Sequence, residues 1–205
     1  MDQGRYSESL RFWTRNEHAE VAALRTLAKG ESAENAIRSI NKYTVSFWVS
    51  AYQSAIFNGV LDARIDEGIL DQLNVGDVAM RHDSRRQFAV HEEIHADPAL
   101  AESVRDLEIS ATGPIWGSHM LEPFGRTREV EIEVLESRGG TRDSVENSPL
   151  VPRGTRRPLR IAVSNIEVDS GVDENGGYVR TAFDLPRGAY ATVLLRELVE
   201  GIDPD

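Results

Sequence analysis

The chain has 205 residues, 40% of them hydrophobic and 28% charged, with a formal net charge of −11 and no cysteine. Its length suits one ordinary domain, or one with a substantial insertion, while disulfides and thiolate metal sites are excluded. No apolar run approaches the roughly 20 residues that cross a bilayer, MDQGRYSESLRFW lacks a signal-like apolar segment, and a cytoplasmic location is expected.

Residues 8–29 read as a helix, with Leu10, Trp13, His18, Val21, Leu24 and Leu27 at near-helical spacing and Gly30 as its stop. Ser32 or Asn35 is placed to cap a short turn after it. A second helix is predicted from Tyr43 to Ile65, where Trp48, Tyr52, Ala55, Ile56, Val60 and Ala63 form an apolar stripe and Gly68 lies just beyond. Ser46, Ser50, Ser54, Asn58 and Asp62 recur every four residues beside that stripe, facing either solvent or a ligand. From Val75 to Val90, Val78 and Met80 lead through the polar HDSRRQ to Phe88 and Val90, a β-hairpin pattern. Asp97-Pro98 supplies the cap and first-turn proline of a short helix, ALAESVRDL. Leu107, Ile109 and Ala111 alternate as a strand ending at Gly113-Pro114.

REVEIEVLESRGG fits two patterns, because Val130, Ile132 and Val134 alternate like a strand while its glutamates and terminal glycines suit a helix. Residues 139–157 are polar and rich in glycine, proline and arginine, and are predicted as a loop between two structural units. In the β-rich remainder, Leu159, Ile161 and Val163 alternate, as do Ile166 and Val168. Asn175-Gly176-Gly177 marks a hairpin turn, after which Val179, Thr181, Phe183 and Leu185 share a strand face. Pro186-Arg187-Gly188 breaks that strand, and Tyr190, Val193, Leu194, Glu197 and Leu198 take helical spacing up to a stop at Gly201.

The acidic balance argues against a nucleic-acid binder whose whole surface neutralises phosphate. It leaves room for a local strip, because Arg153, Arg156, Arg157 and Arg160 fall within eight residues, with a solvated arginine-rich loop as the alternative. HEEIH at 91–95 matches the H-E-x-x-H zinc signature, whose chemistry needs one unbroken helix through both histidines. Here the motif follows the strand-like QFAV and is cut off by Ala96-Asp97-Pro98, and proline disfavours helical geometry at Asp97. Surface residues at a strand end are expected instead, and no metal. LVPRG at 150–154 resembles an engineered protease-cleavage sequence but is read as native loop.

Four blocks carry a family resemblance: SFWVSAYQSAIFN at 46–58, VGDVAMRHD at 75–83, ISATGPIWG at 109–117, and RRPLR at 156–160 joined to FDLPRGAYATVLLREL at 183–198. In this order they resemble the TruD family of tRNA pseudouridine synthases. The family's corresponding patterns are a helix ending in QS-x-x-FN, then G-D-V-x-x-x-H-D, S-x-T-G-P-x-F-G, and R-R-x-L-R with F-x-L-P-x-G-x-[FY]-A-T-x-x-L-R-E-L. Trp116 and Tyr190 stand where the family more usually has phenylalanine.

The resemblance implies an α+β fold: residues 1–22 as a residual catalytic-domain segment, 23–155 as a family-specific inserted domain, and 156–205 as returning catalytic strands and a C-terminal helix. It implies isomerisation of a uridine in tRNA to pseudouridine, with tRNA as partner and neither cofactor nor metal. Tyr190 would form the aromatic platform for the target base, and Arg157 and Arg160 would contact phosphate. Helix packing or capping is expected for Gln53, Ser54 and Asn58, and a salt bridge for Arg196. The family's nucleophilic aspartate lies in a G-x-K-D-x-x-A-x-T-Q-like segment before the first block, and no such segment occurs in these 205 residues. Asp2-Gln3-Gly4-Arg5-Tyr6 is a candidate remnant of the family's N-x-F-x-x-Q-R-F-G motif. The expectation is therefore a truncated member without its nucleophile. The alternative is a non-catalytic tRNA-binding or protein-interaction remnant.

Overall fold

The computed structural model describes residues 5–13 and 18–199 of an α+β chain. Its helices are α1 (Tyr6–Ser9), α2 (His18–Ala28), α3 (Ala33–Ser39), α4 (Lys42–Asp66), α5 (Glu92–His95), α6 (Pro98–Arg105), α7 (Gly125–Ser137), α8 (Arg142–Glu146) and α9 (Ala191–Val199). Its strands are β1 (Val78–Arg81), β2 (Gln87–Ala89), β3 (Ile109–Ile115), β4 (Thr155–Pro158), β5 (Ser164–Asp173) and β6 (Gly176–Asp184). A four-stranded sheet has the order β2-β1-β3-β4, and β5 and β6 form a separate two-stranded sheet. The chain divides into two compact units: residues 1–63, 114–120 and 128–156, and residues 64–113, 121–127 and 157–205.

Helix punctuation follows local chemistry. Ser32 accepts from the Asn35 N–H and starts α3, and Gly30 ends the preceding helix at φ +83. Asn41 accepts from the Tyr43 N–H at 2.9 Å as α4 begins. Gly68 takes φ +67 beyond its end, while the Ile69 N–H donates to the Arg64 carbonyl at 3.0 Å. Asp97 caps α6 by accepting from the Ala99 N–H, with Pro98 in the first turn. The polar line of α4 faces solvent at Ser46, Ser50, Asn58 and Asp62.

In the first unit Ile56 of α4, Trp116, Leu135 of α7 and Val145 of α8 form the core, with Tyr52, Met120 and Val134 packed against it. Full burial of a side chain such as Ile56 or Leu135 stabilises by about 1.5–3 kcal/mol. This core settles the two patterns of REVEIEVLESRGG in favour of the helix α7. Glu131 and Leu135, four residues apart, are both buried, and the Gly139 and Gly140 N–H groups close its end on Glu136 and Leu135. In the second unit Val78, Ala79, Met80, Val90, Val104, Ile109, Ala111 and Leu159 are buried around the sheet.

Several elements differ from expectation. The helix expected over 8–29 is divided, because a 3-10 turn at Leu10–Phe12 ends at Trp13 in extended backbone before α2 begins at His18. Residues 139–157 hold α8, whose Thr141 and Ser144 bond reciprocally as a capping box, and the start of β4. Leu107 turns at φ +58 ahead of β3, which runs through Gly113-Pro114 to Ile115. Residues 159–163 form no strand: the Leu159 N–H still donates to the Ala111 carbonyl at 2.9 Å, and the chain then leaves the sheet, exposing Ile161. The expected stop at Gly201 and positions 2–4 lie outside the described residues.

Each unit contains a buried ion pair. Arg64 reaches Asp77 through two bonds of 2.9 and 3.1 Å, and Asp77 is 1% exposed. Arg156 pairs through two bonds with Glu131, both fully buried. Removing one partner leaves the other charge buried and unmatched, so Asp77→Ala and Glu131→Ala are each expected to lower the unfolding free energy by about 3–5 kcal/mol. The exposed Asp62→Ala should change it by less than about 0.5 kcal/mol. Urea unfolding checks this, and equal midpoints for all three variants would contradict it.

Candidate functional site

The recurring blocks are interlocked as two sets, one within each unit. In the first, Gln53 of α4 is buried and donates its side-chain N–H to the Trp116 carbonyl, joining SFWVSAYQSAIFN to ISATGPIWG. Gly117 ends the third block against the backbone of Pro152, Arg153 and Gly154, where any Cβ would collide. A Cβ on Gly154, at φ +80, would likewise collide with the Gly117 backbone, and the His119 N–H donates to the Arg153 carbonyl at 2.8 Å. LVPRG is therefore an integral part of this fold.

In the second set, Gly76 of VGDVAMRHD takes φ +100 with its α-carbon against the Phe124 carbonyl, leaving no room for a side chain. Asp77 next to it accepts from Arg64, from the Thr127 hydroxyl at 2.7 Å and from the Asn74 N–H at 2.9 Å. β1 pairs antiparallel with β3, setting Met80 opposite Ser110, and the Thr112 hydroxyl donates to the Val78 carbonyl at 2.6 Å. Immediately beyond β1, His82 Nε2 lies 2.9 Å from the Ser110 Oγ, joining two more motif positions. Arg160 donates to the Val104 carbonyl at 2.6 Å, and its charge acts on His82. The second and third blocks thus meet at His82 and Ser110, and the fourth bears on them through the charge of Arg160. Burial, then the charges of Arg160 and Arg85, hold His82 below the ordinary imidazole pKa.

The sequence-expected residues have different fates. Arg156, read with its neighbours as part of a basic surface strip, is buried against Glu131. Arg157 and Arg160 are half-buried, and Arg153 is exposed. Tyr190 stands on another element, 70% exposed at the start of α9, where its carbonyl accepts from the Val193 N–H. Gln53 packs rather than facing outward. Asp184 is exposed and accepts from Asn165 at 2.6 Å. Sequence reasoning missed His82 and Ser110 as a pair. The available signal was that each is a fixed polar letter in its block. HEEIH does not present its histidines on one helix: His91 precedes α5 in extended backbone and stacks on Phe124 at 5.1 Å, and α5 is a single turn. No cluster of three metal-ligating side chains occurs among the described residues.

Ahead of Tyr190, the β5–β6 hairpin turns between Asp173 and Gly176 and pairs Val168 with Thr181 and Ser170 with Val179. Val168, Val172 and Val179 share one face and are 68%, 84% and 72% exposed. The opposite face carries Glu167, Asp169 and Arg180, with Asp169 and Arg180 paired at 3.5 Å. An apolar face beside a charged one normally packs against another layer, and at these three valines this one is open, while Thr181 and Phe183 on the same face are half-buried.

Comparison with known proteins gives one answer. Residues 1–198 match the family tRNA pseudouridine synthase D (TruD). The chain is 36% identical over 200 residues to tRNA pseudouridine synthase D of Geobacter sp. strain M21, an alignment covering 97% of this chain and 48% of that protein. It is 36% identical over 159 residues to a protein of that name from Thermus thermophilus, covering 77% and 41%. The crystal structure of a Methanosarcina mazei protein assigned as tRNA pseudouridine synthase D (TruD) matches with a TM-score of 0.78 at 26% identity, over 96% of this chain and 47% of that one. The chain spans about half the length of the relatives it matches.

Because His82 is depressed in the folded state, the unfolded chain takes up its proton first as pH falls. Its contribution to stability is undiminished above the ordinary imidazole range and declines as pH drops from that range through the folded midpoint. An NMR titration is expected to place the His82 midpoint below that of an exposed histidine. Arg160→Ala should raise it part of the way, leaving the larger effect of burial. A midpoint unmoved by that substitution would contradict the assignment.

Proposed function

The chain belongs to the tRNA pseudouridine synthase D (TruD) family, and on that basis we propose that it supplies one part of an enzyme converting uridine to pseudouridine in tRNA. The reaction breaks the bond between the sugar and the base nitrogen and rejoins the same base through carbon, so the product is an isomer and no external group is transferred. It needs a carboxylate nucleophile, a site that excludes water, and a surface to hold the extruded base. In this reading Tyr190 is the stacking surface, Arg157 and Arg160 are phosphate contacts, and residues 1–22 and 156–205 belong to the catalytic domain around an insertion at 23–155.

The observation that carries the reading is the exposure of Tyr190. An aromatic whose role is packing would be covered, and this ring is open at the residue just before α9, after the exposed apolar face of the hairpin. The nucleophile is assigned to the part of the relatives' length that this chain does not span. Asp77 is consumed by Arg64, Asn74 and Thr127, and Asp83 accepts from the Ser84 N–H within its own turn. The uncovered face of β5–β6 supports the same reading, because returning strands of a larger sheet would bury it.

The test combines the chain with a polypeptide comprising the remaining half of the Geobacter relative and measures pseudouridine in unmodified tRNA by nucleoside chromatography. Activity is expected from the combination. Base–aromatic stacking is worth about 1–3 kcal/mol, so Tyr190→Ala should slow the reaction by about 5- to 150-fold, with Tyr190→Phe close to the parent rate. Full activity in Tyr190→Ala would contradict the assignment. No product from the combination, with tRNA binding retained, would favour the non-catalytic tRNA-binding alternative.

A further inference from the structure

The turn joining β1 to β2 concentrates positive charge in a chain of net charge −11. Arg81, Arg85 and Arg86 are exposed there, together with one acid, Asp83. Asp83 is engaged by the turn itself, accepting from the Ser84 N–H at 2.5 Å. The Arg85 N–H donates to the Arg81 carbonyl at 2.9 Å and the Arg81 N–H to the Arg86 carbonyl at 3.0 Å, so all three guanidinium stems leave one closed turn. Arg85 sits at φ +57, in the left-handed region where glycine or asparagine is the unstrained choice. Backbone geometry alone therefore favours glycine or asparagine there, and the position carries a cation instead.

A further cation approaches the same place from a distant part of the sequence. Arg160 is held by the Val104 carbonyl, and both it and Arg85 lie close enough to His82 to disfavour its protonation. His82, bonded to the buried Ser110, joins the cluster as a hydrogen-bonding group rather than as a further charge. Acids adjoin the cluster too: Glu108 accepts the His82 N–H at its carbonyl, and its carboxylate accepts from the Ser103 hydroxyl at 2.9 Å.

We propose that Arg81, Arg85, Arg86 and Arg160, beside His82, form a site for phosphodiester groups of an RNA backbone. Guanidinium groups match phosphate oxygens with paired donors, and each phosphate neutralised releases counterions. On an acidic chain a compact site of this kind confines the RNA to one surface, since the remaining surface repels it. The inference rests on the family reading for its ligand, tRNA, and goes beyond it in assigning contacts to the β1–β2 turn.

The test measures binding of an unmodified tRNA transcript to the whole chain across a chloride series, an assay that needs no catalysis. The triple substitution R81A/R85A/R86A is expected to weaken binding by about tenfold or more at low salt and to reduce the slope of log affinity against log salt by about 2–3. R25A/K29A/R38A, removing the same charge from exposed positions of the other unit, should leave the slope unchanged. Arg85→Gly separates the site from the fold: it relieves the left-handed strain, so its melting temperature should equal or exceed the parent's, yet its affinity should fall about threefold or more. Parent-like binding by the triple variant, equal losses in the control variant, or no tRNA binding by the parent chain would overturn the proposal. Absence of pseudouridine formation with arginine-dependent binding intact would overturn only the catalytic reading.

Discussion

A charge removed from water must be met by an opposite charge and by hydrogen bonds, or it stays costly however well the surrounding apolar groups pack. Both units of this chain contain such a requirement. Asp77 accepts from a guanidinium, a hydroxyl and a backbone N–H, which ties the end of α4, the 69–77 loop and the start of α7 to one carboxylate. Glu131 and Arg156 do the same between α7 and β4. The Gly76 and Gly117 close approaches stand next to these ties and tolerate no side chain. Four motif letters that look chemical in a linear sequence thus specify packing.

Separating packing letters from functional ones reorganises the site. Arg156 leaves the candidate phosphate strip, and Gln53 packs inside against the Trp116 carbonyl. His82 and Ser110 are joined by a hydrogen bond between two blocks, Arg160 acts on His82 through its charge, and Tyr190 stands apart just before α9. The half-buried cluster and the open aromatic suit different tasks. One is a set of polar and charged groups beside the four-stranded sheet. The other is a ring available to stack on whatever approaches it.

Local chemistry was legible in the sequence where one or two residues decide the structure. Gly30, Gly68, Asp97-Pro98 and the Asn175-Gly176 turn all act as their residue types require. Elements decided by tertiary context were less so. REVEIEVLESRGG is helical because Glu131 and Leu135 have partners to meet, and Leu159, Ile161 and Val163 alternate without forming a strand because the chain leaves the sheet after Leu159. The capping box at Thr141 and Ser144 was masked by a serine in the position usually held by glutamate or glutamine. Charge roles were the least legible. An arginine in a basic run reads as surface, and only the position of Glu131 on a neighbouring helix shows that Arg156 is buried.

Under the function proposed above, the exposed β5–β6 face packs against further protein. Ile166, Val168, Val172 and Val179 give it an apolar character that water does not favour. Amide hydrogen exchange along residues 164–184 tests the claim most directly, compared between the chain alone and the chain mixed with the remaining half of a relative. Rapid exchange alone and strong protection in the mixture are expected. Protection already complete in the isolated chain, or exchange unchanged on mixing, would contradict it.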